Sequence, residues 1–177
     1  YIFLADGFED IEGLTVVDLL RRAGIDIKTV SIKETTRIQT SHGITMLTDA
    51  IFAETDFADA DMLVLPGGMP GTLNLQKNKM VTDAIEYCVK NEKLVAAICA
   101  APMILGDLGY LDGKNAVCFP GFEDSLTESN ILSDGVVRDG NFITAKGAGK
   151  ALEFGAAIVD YFSEPPKGER ILQKMQV

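Results

Sequence analysis

Short apolar runs alternate with helix-period patterns along this chain, and each run has a length that suits a strand buried on both faces. YIFLA at 1–5 is the first. A helical pattern follows from Asp10 to Ala23, with Ile11, Leu14, Val17 and Leu20 on one face and Gly24 as its stop. DIKTVSI at 26–32 predicts a strand, RIQTSHGITMLTDAI at 37–51 a small hairpin turned at His42 and Gly43, and DMLVLPGG at 61–68 a buried strand running into a glycine pair. A helix over Lys79 to Lys90 precedes the strand LVAAI at 94–98, and a second helix over Ala100 to Leu108 follows it directly. Beyond Gly113, NAVCF predicts a strand, VVRDGNFITA carries a DG turn between two alternating runs, and KALEFGAAIVDYF predicts a strong helix. Pro165 and Pro166 then open a short amphipathic tail over 164–177 whose role the sequence does not indicate.

Strands alternating with helices predict an α/β fold: a single domain with a parallel sheet sandwiched between helices through right-handed crossovers, in a flavodoxin-like or Rossmann-like layout. Such a sheet binds ligands beyond the carboxyl ends of its strands. Three segments converge there: ADGFEDIE after the first strand, GGMPG after DMLVLP, and the turn at Cys99.

Length and charge narrow the classes. The 177 residues, 47% of them hydrophobic, suffice for one well-buried core. A formal charge of −10 opposes a nucleic-acid backbone or an anionic membrane surface, and no dense basic run offsets it. No apolar stretch reaches the roughly 18 to 20 residues of a membrane span. Cys88, Cys99 and Cys118 are an odd and sparse set that fits a reducing compartment, so a soluble cytoplasmic protein is the expectation. The chain starts at Tyr1 within a strand-like run and without an initiator Met, which leads us to expect residues before it.

The candidate chemistry centres on Cys99, where LVAAI ends and a helix is predicted to begin. A sulfur there lies near unpaired backbone N–H groups and a positive helix end, both of which favour thiolate. Ala97, Ala100 and Ala101 permit the tight turn of a nucleophile elbow. An inert, buried cysteine satisfies the same spacing. Glu9, Asp10 and Glu12 open the helix after the first strand, where acids complement the helix dipole; one of them, kept protonated by burial, can also donate to a thiolate and move protons. The Gly67–Gly68 pair either ends a strand or supplies oxyanion N–H groups together with Ala100. His42, the only histidine, suits a solvated hairpin turn, and a Cys–His dyad needs folding or a second subunit to bring it to Cys99. No nucleotide fingerprint and no metal-ligand spacing is present, so no cofactor and no metal are expected.

Together GFEDIE, VLPGGMPG, AAICAAP and the TAKGAG segment before a long helix resemble the ThiJ/PfpI superfamily, in the branch of the Parkinson-disease-linked protein deglycase and its small bacterial relatives. The resemblance runs from Tyr1 to Phe162. It implies a flavodoxin-like homodimer with Cys99 as the reactive cysteine, Glu12 as its partner carboxyl, and Gly68 and Ala100 as backbone stabilisers. It further implies a symmetric interface drawing on Val16, Val17 and Leu20 or on the 37–47 hairpin. Members are described as glyoxalases or deglycases acting on small 2-oxoaldehydes or glycation adducts, as peroxide sensors, chaperones or peptidases, or under thiamine-biosynthesis names.

Three departures shape what carries over. Peptidase-type relatives have a histidine directly after the nucleophile, and Ala100 stands there, so proteolysis is not expected. The deglycase branch often carries a histidine where this chain has Cys118, which removes a general base and makes Cys118 a candidate resolving thiol. An arginine of the small hairpin in some relatives is matched by His42. The expected activity is a cysteine-dependent conversion of a small aldehyde or glycated substrate. A redox-responsive protector, oxidised at Cys99 without turnover, is the alternative.

Overall fold

A computed structural model of the chain describes residues 1–177. In chain order its strands are β1 (Ile2–Leu4), β2 (Thr29–Ser31), β3 (Arg37–Gln39), β4 (Thr45–Leu47), β5 (Ala50–Ile51), β6 (Met62–Leu65), β7 (Leu94–Ile98), β8 (Asn115–Ala116), β9 (Asn130–Ile131), β10 (Val136–Asp139) and β11 (Phe142–Ala145). The helices are α1 (Asp10–Arg22), α2 (Gly71–Lys77), α3 (Lys79–Lys90), α4 (Pro102–Asp107), α5 (Ala151–Tyr161) and α6 (Lys167–Lys174).

Seven strands form one sheet in the order β10-β11-β7-β6-β1-β2-β5, parallel except for the β10–β11 hairpin. From β1 the chain first pairs with β2 on one side and then crosses to β6 on the other, the reversal that opens a crevice at the carboxyl edge of an α/β sheet. Side chains alternate across the sheet as strand geometry requires. Phe3, Leu63, Leu65, Val95 and Ala97 join the core under α2, α3 and α4, which includes Leu75, Ile85 and Ile104. Ile2, Leu4, Val64, Ala96 and Ile98 join the other core, under α1, α5 and α6, with Leu19, Phe154 and Ile171. This is the flavodoxin-like arrangement that the alternation of apolar runs predicts.

Local chemistry fixes the helix ends. Asn78 caps α3, its side-chain oxygen accepting from the N–H groups of Met80 and Val81 at 3.0 and 3.4 Å. Asp10 and Glu12 lie in the first turn of α1 and Arg21 and Arg22 in the last, and Gly24 takes φ +79° just beyond it.

Several expectations are corrected. The helix after Cys99 starts at Pro102, not Ala100, because Cys99 itself adopts φ +65°, a left-handed conformation that no right-handed helix accommodates. Only Asn115 and Ala116 of NAVCF are strand, paired with β9 outside the main sheet. In the 37–51 segment β3 and β4 form the hairpin, while β5 leaves it to pair with β2. Val16, Val17 and Leu20 are buried within the chain, in the core that α1 shares with α5, so they offer little surface to a second copy. The outward apolar residues of these elements are Ile11 and Leu14 on α1 and Ile44 and Leu47 on the hairpin. The tail is an integral layer: Ile171 of α6 enters the core, and the Gly168 N–H donates to Asp160 at 2.7 Å. No helix is long and apolar enough to cross a membrane.

Helix α1 is held to the sheet and to α5 by Leu19, which is fully buried and packs where Gly155 leaves room. Leu19→Ala removes about three methyl-equivalents from that contact and should lower unfolding stability by about 2–5 kcal/mol, read as a shifted urea midpoint at constant slope.

Candidate active site

The carboxyl ends of β1, β6 and β7 bring the three loops together through backbone hydrogen bonds. The Glu9 N–H donates to the Gly67 carbonyl at 2.9 Å and the Gly71 N–H to the Gly7 carbonyl at 3.2 Å. Cys99 is fastened on two sides: its N–H donates to the Ala145 carbonyl at 2.8 Å, and its own carbonyl accepts from the Phe119 N–H at 2.8 Å. A non-glycine residue at φ +65° is strained unless its surroundings hold it, and these bonds do so at the end of a fully buried strand.

Glu12 is the carboxyl that reaches this turn. It is fully buried on α1, and its Oε2 accepts from the Gly67 N–H at 2.8 Å. Its Oε1 is buried without a hydrogen-bond partner, and the carboxyl lies close enough to Cys99 for the two groups to perturb each other. Gly67 makes the approach possible, since a Cβ there would lie 2.6 Å from both the Cys99 Cβ and Glu12 Oε2. Gly68 adopts φ +91°, and a Cβ on it would lie 2.4 Å from the Glu9 nitrogen.

The electrostatics correct one expectation. Burial raises the Glu12 carboxyl to about 7, against the hydrogen bonds from Cys99 and Gly67 that favour its charged form. Burial also pushes the Cys99 thiol up to about 12, reinforced by the charge of ionised Glu12 and the thiol's hydrogen bond to it, and opposed by the N–H groups of Ala100 and Gly68. Turn and helix end therefore do not hold the sulfur as a thiolate by themselves. The two contributions from Glu12 exist only while that carboxyl is ionised. Once protonated, the carboxyl can donate to the sulfur, which then faces it together with the Gly68 and Ala100 N–H groups. The pair shares one proton, and its ionisations belong to both groups.

The remaining sequence candidates take different places. The Gly67 N–H is committed to Glu12, so it is not an oxyanion donor, and the Gly68 and Ala100 N–H groups face the sulfur itself. Glu9 and Asp10 serve the hairpin instead of Cys99. Ser41 Oγ donates to Glu9 at 3.0 Å, and His42 Nδ1 lies 2.7 Å from Asp10 Oδ2 and 3.6 Å from Glu9 Oε1. The hydrogen bond to Asp10 and the charge of Glu9 raise the exposed His42. Burial pushes Asp10 up, but hydrogen bonds from Thr40 and His42 outweigh it and leave its carboxyl below the usual range. His42 and Cys99 are not brought together. Cys118 is buried in the core under α2, α3 and α4, whereas Cys99 packs against the other core, and both are free thiols. Burial and the charge of Glu123 push Cys118 up to about 11.

The sequence reading did not single out Phe119, Lys146 or Gly147. A Cβ on Gly147 would lie 4.0 Å from the Cys99 sulfur and 3.1 Å from the Phe119 ring. Phe119, Pro120, Lys146, Gly147, Gly149 and Lys150 line an open recess of about 340 Å³ beside the turn. The signal was in TAKGAG, which follows a strand end and so had to reach the same sheet edge as Cys99.

A model of the "DJ-1/PfpI family" matches residues 1–161. Protein dj-1beta of Drosophila melanogaster is 31% identical over 178 residues, covering 99% of this chain and 95% of that protein. Its crystal structure superposes with a TM-score of 0.93, covering 99% of this chain and 96% of the other. Protein DJ-1 homolog B of Arabidopsis thaliana is 31% identical over 93% of this chain, which spans only 38% of that longer protein. A Caenorhabditis elegans relative named glutathione-independent glyoxalase DJR-1.2 is 28% identical, covering 94% of this chain and 89% of that protein.

The shared proton sets a pH profile. Alkylation of Cys99 by iodoacetamide should rise up to about pH 7 and then level off, because between the two ionisations the ratio of the one-proton forms does not depend on pH. Glu12→Gln should replace the plateau by one ionisation, climbing about tenfold per pH unit below the thiol pKa. Native and variant chains with the same steep climb above pH 7 would show that the two groups do not share a proton.

Proposed function

The chain belongs to the DJ-1/PfpI family, and we propose that it is a cysteine-dependent enzyme acting on small 2-oxoaldehydes or their glycation adducts. The observation that carries this reading is the contact between a carboxyl raised to about 7 and a half-buried thiol at a left-handed strand end. A carboxyl that titrates near neutrality both gives and takes protons at working pH, which is what an aldehyde-to-hydroxy-acid conversion asks of it. The name of the Caenorhabditis elegans relative, a glyoxalase, supports the same reaction class.

The steps balance without a cofactor. The tautomer with the proton on Glu12 presents a thiolate, which adds to the aldehyde carbon of methylglyoxal; the C–S bond forms and the carbonyl oxygen takes the proton from Glu12. Once the sulfur is bonded to carbon, the Gly68 and Ala100 N–H groups that faced it are free to stabilise the oxygen. Glu12, now ionised, removes the proton from the former aldehyde carbon and returns it to the neighbouring one, while the hydroxyl proton passes to the ketone oxygen through the enediol, giving a thioester of a 2-hydroxy acid. Water then releases lactate and the thiol. No imidazole stands near Cys99, since His42 is engaged by Asp10, so Glu12 acts as both base and acid.

A second reading rests on the openness of the recess beside a half-buried sulfur, which admits peroxide as readily as an aldehyde. There Cys99 is oxidised without turnover. A homodimer is part of either reading; the outward residues Ile11, Leu14, Ile44 and Leu47 supply its contact in place of the inward ones, and light scattering at micromolar protein tests it.

Native protein should convert methylglyoxal to lactate, Cys99→Ser should produce none, and Glu12→Gln should lose about 100-fold or more in turnover. Absence of lactate from the native chain ends the enzymatic reading. Under mild peroxide, a Cys99–Cys118 bridge found by mass spectrometry would make Cys118 a resolving thiol, and Cys99 sulfinate without that bridge would remove the role.

A further inference from the structure

Glu12 reaches Cys99 from the β6 side of the turn, through Gly67; the recess opens on the β11 side, at Gly147. These are opposite neighbours of β7, so the sulfur has a proton-handling side and a second side with no role yet. The second side is held in register with the sulfur by the Cys99–Ala145 and Phe119–Cys99 backbone bonds. Lys146 directly follows Ala145, and Phe119 is the residue bonded to the Cys99 carbonyl.

The walls of this recess are mainly carbon: the half-exposed Phe119 ring, Pro120, and the stems of Lys146 and Lys150, the latter packed over Gly135. Its charge is positive in a chain of net −10. The two lysines are not equivalent. The Lys150 ammonium is bound to Glu153 at 3.0 Å, whereas Lys146, half-buried, forms no ion pair with any carboxylate. An acidic surface repels anions on average, so a cation next to a nucleophile changes which small molecules collect there.

We propose that this recess is a carboxylate-selecting subsite, in which Lys146 holds the single negative charge of a small carbonyl compound while Phe119 and Pro120 cover its carbon chain and Gly147 leaves the path to the sulfur open. The proposal rests on Cys99 being the nucleophile, and it names the substrate class of that site as aldehydes carrying a carboxylate a few bonds from the carbonyl. One uncommitted ammonium suits one carboxylate charge; a doubly charged phosphate calls for more donors than this wall presents.

The test does not depend on aldehyde turnover. Cys99 is alkylated with iodoacetate and, separately, with iodoacetamide, at one pH and low salt, and the ratio of the two rates is taken. The ratio cancels changes in the thiol itself. In the native chain it should fall as salt is raised, and Lys146→Met should lower it by about fivefold, with Lys146→Arg restoring it. A ratio that is insensitive to salt and unchanged in Lys146→Met overturns the subsite while leaving the glyoxalase reading intact. Loss of lactate formation with the ratio behaving as expected removes that reading and keeps the subsite. If neither reagent modifies native Cys99, both fall together. Should Lys146→Met fail to fold, the salt dependence of the native ratio still decides.

Discussion

A single proton held between a buried carboxyl and a half-buried thiol is the constraint on which this site is built. Neither group ionises at ease where it sits: burial raises Glu12 to about 7 and Cys99 to about 12. Two isolated groups in such a place would both be neutral and inert. Placed against each other, with backbone N–H groups on the sulfur and on Oε2, they can exchange one charge. On the proposed reading burial serves reactivity, because low polarity around Glu12 raises its carboxyl into the range where it can trade a proton with the thiol.

Much of the surrounding backbone follows from that requirement. A carboxyl from the first turn of α1 meets the end of β7 only if the chain between them has no side chain, and Gly67 is the residue that lies between. The sulfur must project from the sheet edge before any helix begins, which Cys99 achieves by adopting a left-handed conformation and delaying α4 to Pro102. Both features are unfavourable locally and persist because β7 and its neighbours are fully buried and over-determine them. The hairpin is drawn into the same assembly: Ser41 and His42 hold the Glu9 and Asp10 side chains, which leaves Glu12 as the carboxyl of that cluster directed inward.

The fold was legible in the sequence because both of its signals are local. Apolar runs such as LVAAI and MLVL read as doubly buried strands from composition alone, and Lys79–Lys90 could be bounded by its periodicity and end residues. The elbow was legible in position but not in conformation: LVAAICAAP contains no glycine to announce a positive φ at Cys99, and a run of alanines is equally good helix, so the pattern alone starts the helix at Ala100. The carboxyl cluster showed that an acid was available, but its choice depends on rotation about α1, where Glu12 faces the sheet and Glu9 faces the hairpin. Ile11, Leu14, Val17 and Leu20 share one face by spacing, but which of them lie inward depends on α5, more than 120 residues later, which packs on α1 and leaves Ile11 and Leu14 exposed. What the sequence withheld throughout was the result of long-range packing, which no window along the chain contains.

The same sulfur chemistry suits turnover and oxidation, so the pair alone does not distinguish them. A thiolate available through proton exchange with Glu12 is the nucleophile toward an aldehyde and the form that peroxide oxidises. What differs is the other flank. An oxidant needs only access, and it gains nothing from an ordered wall; a carbonyl substrate needs its remaining atoms held so that the reacting carbon stays near the sulfur. The Phe119 N–H donates to the Cys99 carbonyl, and Ala145, the residue before Lys146, accepts from the Cys99 N–H, so the recess keeps its place relative to the sulfur whenever the elbow is formed. A flank registered in this way is an arrangement that binding makes use of and simple exposure does not, and it weighs the molecule toward a substrate with a body and a charge.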